Sequence, residues 1–230
     1  MSKSNNQTKM NNWAIPEQQG PAEIVGKANP DCRGADWRGL KLDSANLRGA
    51  KLCRVDMRGT DLENCNLEGA DLRLVRYDKY TIWPQNYDYS CSGAIGPKAK
   101  LSGSFLNSAD LSGMDLQGAN LMGCYLSGAN LNGCCLRGAR IAGADLRHAL
   151  LRGACLEGVR FSGCQLDYVD FREASLQDAD LSSAESIRGA DFRGSTGLEP
   201  ARAELLGRSI RELDCWNPLT QITTRQSLDA

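Results

Sequence analysis

The chain has 230 residues, 41% of them hydrophobic, and 27 Lys and Arg against 28 Asp and Glu give a net charge of −1. That balance supplies neither the basic footprint of a nucleic-acid binder nor a polyanionic surface, so no nucleic-acid partner is expected. The N-terminus lacks the apolar core of a secretory signal and no stretch reaches transmembrane length, so a cytoplasmic protein with no transmembrane segment is expected.

Residues 1–34 read as a polar N-terminal segment, partly disordered. Its apolar residues include Trp13, Ile15, Ile24 and Val25, and some of these are expected to close the N-terminal end of the adjoining repeat. From Trp37 every fifth position is large and apolar: Leu42, Leu47, Leu52, Met57, Leu62, Leu67, Leu72 and Tyr77. A period of five matches neither a helix (3.6) nor a flat strand (2.0), and it demands a backbone that turns a corner every five residues. This first block spans 35–77. An aromatic-rich loop insertion is expected over 78–98. The register resumes at Leu101 and holds to Leu181, then gains one residue near Glu185 before Ile187 and Phe192, so that a second block covers 99–194. Two positions before the apolar residue sits a small one, as at Ala109, Ala119 and Ala129. Two positions after it sits a frequent glycine, as at Gly113, Gly118 and Gly123, which suits corners needing positive φ. Residues 195–214 are expected as a C-terminal capping helix, with Pro200 in its first turn and Leu205, Leu206, Ile210 and Leu213 on one face. Residues 215–230 read as a flexible tail.

The units Ala45-Asn46-Leu47, Ala70-Asp71-Leu72, Ala109-Asp110-Leu111, Ala119-Asn120-Leu121, Ala129-Asn130-Leu131, Ala144-Asp145-Leu146 and Ala179-Asp180-Leu181 carry a resemblance. The chain resembles the pentapeptide-repeat family over roughly residues 35–194. The resemblance implies an all-β solenoid, a right-handed quadrilateral β-helix of about seven coils with a C-terminal capping helix. Tyr77-Asp78-Lys79-Tyr80-Thr81-Ile82-Trp83-Pro84 looks like an insertion common in cyanobacterial members. The family also implies a homodimer through the C-terminal end as one arrangement.

Little in the sequence points to chemistry. Of ten cysteines, Cys65, Cys124, Cys134 and Cys164 fall in the small inward slot, where Cys packs as a slightly larger Ala. Cys135 and Cys155 are twenty residues apart and are expected to stack outward on adjacent coils, where a disulfide or redox role is the alternative to plain surface side chains. No CxxC pair or metal-ligand spacing is present. His148 is expected to stack on Tyr168 from an outward corner, with no nucleophile or carboxylate converging on it. No catalytic residue, cofactor or metal site is expected, and the chain does not read as an enzyme.

Two features break the pattern. Tyr80, Trp83, Tyr87 and Tyr89 crowd into the interruption, either as interface anchors or folded back onto the coil. Residues 101–136 carry only two charges, Asp110 and Asp115, and their outward slots hold Phe105, Met122 and Tyr125. Elsewhere charges are expected to pair across coils, Arg48 with Glu68 and Arg147 with Asp167, whereas Arg152 and Arg172 stack like on like. The reading is a non-enzymatic scaffold or adaptor contacting another protein through Tyr80, Trp83, Tyr87, Tyr89, Phe105, Met122 and Tyr125. The family offers an alternative, a DNA mimic that binds DNA gyrase and confers quinolone resistance, but a mimic needs a markedly acidic surface.

Overall fold

The computed structural model describes residues 29–230 in two compact units, one ending at Tyr87 and the other running Asp88–Ala230. The expectations for Trp13, Ile15, Ile24 and Val25 lie outside the described residues. Each unit is a stretch of right-handed quadrilateral β-helix.

In the first unit, parallel bridges join Asp31 to Lys51 and Lys51 to Asp71, and likewise Asp36 to Asp56 and Asp56 to Arg76. The backbone therefore returns to the same face after twenty residues, or four pentapeptides. The periodic residues from Trp37 to Tyr77 are all buried. A fully buried Leu is worth about 1.5–3 kcal/mol relative to an exposed one, which is why this position dictates the period. At each corner the small residue's amide donates back to the apolar residue's carbonyl, as from Ala50 to Leu47 at 3.0 Å, and this closes a turn. The third residue of that turn takes a positive φ, 64° at Gly49 and 61° at Leu74.

The carboxylates before the apolar residues have a local task. Asp36 Oδ1 accepts the Arg38 amide at 3.1 Å, and the Arg38 guanidinium forks onto the same carboxylate at 2.8 and 2.6 Å. The acid thus caps its own corner. The same Asp-x-Arg fork recurs at Asp71/Arg73, Asp145/Arg147 and Asp170/Arg172.

The expected loop of residues 78–98 is not a free insertion. Ile82 bridges to Asp61, a step of twenty-one residues, so the coil absorbs one extra residue and continues. Asp78 organises the slip: its Oδ1 accepts from the amides of Gly59 at 2.9 Å and Tyr80 at 3.0 Å. In the second unit, Tyr89–Cys91 forms a 3-10 turn, Ala94 and Ile95 are buried, and the Ser90 carbonyl accepts the Lys100 amide at 2.8 Å.

The second unit stacks longer ladders, such as Asp110, Asn130, Leu150, Asp170 and Asp191. The extra residue at Glu185 changes the step from twenty to twenty-one without breaking the ladder. Its core is aliphatic until the last coils, where Phe171 stacks on Phe192 at 5.2 Å and meets Phe161 edge-on. The inward cysteines do more than fill space: Cys124 and Cys134 donate to the carbonyls of Leu101 and Leu111 at 2.9 and 2.7 Å. Burial pushes the Cys134 thiol up to about 12 and Cys164 up to about 11.

The C-terminal end departs from expectation twice. The single helix expected over 195–214 is broken into α1 (Glu199–Leu206) and α2 (Ile210–Leu213). The break lets Arg208 turn inward and donate to the carbonyls of Ser182, Ala184 and Glu185 at 3.1–3.3 Å. Leu205 and Leu213 are buried, but Ile210 is exposed rather than sharing their face. Residues 215–230, expected as a flexible tail, form an antiparallel pair, β1 (Trp216–Asn217) and β2 (Ile222–Thr223), followed by α3 (Thr224–Leu228). Asn217, Thr224 and Ser227 are buried and donate to the carbonyls of Gly189, Ile187 and Ala190. An open last coil would present a row of unpaired backbone groups, and these side chains satisfy them.

Candidate interaction surface

Phe105 and Tyr125 are bridge partners on adjacent coils of the second unit. Their rings stack with centroids 4.6 Å apart and planes within 8°. They remain 76% and 45% exposed, so the stacked pair still presents apolar ring surface to solvent. The solenoid imposes this geometry, because in-register outward side chains on adjacent rungs project in parallel at the rung spacing. A groove continues past Tyr125 along Asp145, Arg147, Gln165 and Glu185. Met122 is half-buried and lines a different groove, with Arg140, Ala142, Arg160 and Ser162.

The remaining expected site residues divide between the units. In the first unit Tyr80 is 67% exposed, with Lys79 Nζ 4.9 Å from its ring centroid. Trp83 and Tyr87 stack on each other at 6.0 Å, and Trp83 meets the buried Tyr77 edge-on at 5.5 Å. These two are turned onto their own unit's core and are half-buried. Tyr89, in the second unit, is half-buried in its 3-10 turn.

His148 stacks on Tyr168 at 4.8 Å, both in the positive-φ corner slot at 59° and 60°. The sequence did not reveal that this stack is held from the C-terminal cap. The Cys215 thiol lies 3.5 Å from the Tyr168 hydroxyl and 3.2 Å from Arg188 Nε, and the contact with Cys215 raises the Tyr168 phenol above its ordinary value. Nor did the sequence mark Trp216 and Leu219 as exposed apolar residues on that cap. They lie beyond the repeat, where no period identifies them.

The charged faces follow the expected pairing only in part. Arg48 reaches Glu68 across one coil at 3.1 Å. Arg147 instead forks onto Asp145, two residues away, at 2.7 Å rather than reaching Asp167. Arg152 and Arg172 do not repel uncompensated: Arg152 pairs with Glu173 at 2.6 Å and Arg172 with Asp170 at 2.7 Å. Among the described residues no cluster of metal-ligating side chains occurs, and no helix is long and apolar enough to cross a membrane.

A family model described as pentapeptide repeats matches in eight copies, over residues 28–59, 41–76, 106–143, 144–182 and 154–196. The chain belongs to the pentapeptide-repeat family. Solved structures similar to this pentapeptide-repeat chain include HetL, involved in heterocyst differentiation regulation in the cyanobacterium Nostoc sp. strain PCC 7120. It is 22% identical over 73% of this chain and 89% of its own, with a TM-score of 0.28. A pentapeptide-repeat protein of the Arabidopsis thaliana thylakoid lumen is 28% identical over 54% of this chain and 89% of its own, with a TM-score of 0.22. Full-length QnrB1, a plasmid-mediated fluoroquinolone resistance protein, is 19% identical over 75% of this chain and 97% of its own, with a TM-score of 0.24. A comparison with curated proteins finds no match.

Proposed function

We propose that this pentapeptide-repeat protein is a non-enzymatic scaffold or adaptor that binds another protein, with Phe105 and Tyr125 at the centre of the contact. The exposed stacked pair carries the reading. Two aromatic rings held rigidly in solvent lose little side-chain entropy on binding, and they sit on a stretch whose only charges are Asp110 and Asp115. Met122, in its separate groove, is a second contact on the second unit, and Tyr80 is the contact of the first, with Trp83, Tyr87 and Tyr89 as supporting aromatics. Ten free thiols fit a reducing compartment such as the cytoplasm. Ile210, Trp216 and Leu219, exposed on the cap, suit self-association through the C-terminal end.

The gyrase-binding alternative is weaker on charge. A DNA mimic needs ordered, uncompensated carboxylates, whereas Asp36, Asp71, Asp145 and Asp170 each carry an arginine fork.

The test is affinity capture from native lysate with the wild type and with a Phe105→Ser/Tyr125→Ser variant. A protein enriched by the wild type and lost from the variant supports the reading, provided the circular dichroism of the two is the same. Identical captured sets sink it. Inhibition of supercoiling by purified gyrase would establish the alternative. Sedimentation of Trp216→Ser against wild type tests self-association.

A further inference from the structure

One ladder of the second unit runs Asn120, Arg140, Arg160 and Asp180. On its outer rungs Asn120 Oδ1 accepts the Met122 amide at 3.3 Å and Asp180 Oδ1 accepts the Ser182 amide at 3.2 Å. The acceptor in each case is the outward residue two positions before the amide. An arginine side chain has donors only, so Arg140 and Arg160 cannot play this part. The amides of Ala142 and Ser162 accordingly meet no acceptor among the described residues. Two backbone donors on adjacent rungs thus stand at the foot of two in-register arginines.

Those arginines also lack a counter-charge. Arg137, Arg147, Arg152, Arg172, Arg188 and Arg193 each meet a side-chain partner. Arg140 and Arg160, both exposed, meet none among the described residues. The neighbouring carboxylates are engaged elsewhere. Glu157 takes Arg137 at 3.4 Å and the Ser175 hydroxyl at 2.9 Å, and Asp180 takes the Ser182 and Ser183 hydroxyls at 2.9 and 3.0 Å. Both arginines line one groove with Met122, Ala142 and Ser162.

Elsewhere in this chain the group that takes such an amide together with a guanidinium is a carboxylate, as Asp36 does with Arg38. A carboxylate from outside would meet the same two kinds of donor at Arg140 and Ala142, and again at Arg160 and Ser162. The rungs repeat at about 4.8 Å. Side chains three or four positions apart on a helix lie about 5–6 Å apart, so one helix face can supply both carboxylates. We propose that this groove docks the acidic face of a helix of a protein partner, with one carboxylate on each rung. The inference rests on the scaffold reading and adds a charge-selective contact on the ladder adjoining that of Phe105 and Tyr125.

The experiment is an amide-resonance titration of the isotope-labelled full-length chain with an alanine-based helical peptide carrying two glutamates four residues apart, and with its glutamine counterpart. The glutamate peptide is expected to shift the Ala142 and Ser162 amides saturably, and the glutamine peptide to leave them in place. Arg140→Gln/Arg160→Gln should weaken binding by at least about tenfold with unchanged circular dichroism. Arg48→Gln/Arg73→Gln, which removes the same charge from the first unit, should not. Phe105→Ser/Tyr125→Ser should also keep the peptide, so failure of the aromatic contact and failure of this one are read separately. No saturable shift at the two amides, or equal weakening in both arginine variants, overturns the proposal. So does a tighter response to inorganic phosphate than to the glutamate peptide, which would make the groove a phosphate site.

Discussion

Asp191 is fully buried, and Arg193 holds its carboxylate by a fork at 3.1 and 2.7 Å while reaching the Thr220 carbonyl with the same guanidinium. One residue pair therefore closes a corner of the last coil and ties the cap to it. Burial alone would push this carboxyl up, but the Arg193 bonds outweigh it and hold the group below its ordinary value.

Replacing Asp191 by Ala removes the acceptor for both the Arg193 amide and its guanidinium, and is expected to cost about 2 kcal/mol. Asp191→Asn keeps one acceptor oxygen and should cost less. Thermal melts of the two variants give the comparison, and an unchanged melting temperature for Asp191→Ala would refute the role.

The exposed forks set an acid limit. The Arg38 fork holds the Asp36 carboxyl down to about 2, and the forks from Arg33, Arg73 and Arg147 hold Asp31, Asp71 and Asp145 below the usual range. An unfolded Asp titrates near 3.9, so the stability they contribute is complete above about pH 5. It is lost as pH falls through the folded values towards about 2. Because these pairs face solvent, salt should shrink the effect. Melts from pH 7 to pH 2 at low and high salt test this; a decline already under way above pH 5 would contradict it.

Gly189 lies under the Tyr168 ring. It takes a φ of +67°, and a Cβ there would come 2.6 Å from Tyr168 Cδ1. Gly189→Ala should therefore destabilise by about 1–3 kcal/mol, combining backbone strain with displacement of the ring. Adding Tyr168→Ala should recover the steric part alone. Equal melting temperatures for Gly189→Ala and wild type would show that the corner has room not evident in the structure.

Arg208→Ala should unseal the last coil without reaching the first unit. Hydrogen exchange is expected to speed up across 182–196, where the Arg208 carbonyl partners lie, and to stay unchanged over 31–77. Uniform acceleration along the chain would mean that the coils open together rather than from the end.

The solenoid was legible because burial recurs every five residues within each block, from Trp37 to Tyr77 and from Leu101 to Leu181, which demands a corner per unit; that four units close one coil was implied by the family resemblance. The Phe105–Tyr125 stack was legible for the same reason, being a pure consequence of a twenty-residue step. Features that depend on competition between partners were not. Arg147 takes the acceptor two residues away because it is nearer and already oriented by the turn. Trp83 reaches Tyr77, with Tyr87 stacked on it, only through the slip at Asp78, which shows in sequence as a loss of period. The cap was the largest surprise. Asn217, Thr224 and Ser227 look like tail residues by composition, yet each meets a specific carbonyl.

The sealed end also restricts how such a chain can change its length. With Arg208, Asn217, Thr224 and Ser227 occupying the outgoing carbonyls, new rungs cannot be appended beneath the cap and must be spliced in above it. A splice of a single pentapeptide between Phe105 and Tyr125 would rotate everything downstream by a quarter turn and separate the two rings. A splice of one full circuit, twenty residues in most coils, leaves every downstream face where it was. Length in this architecture is therefore quantised, and tandem duplication preserves an outward-facing surface only in whole circuits.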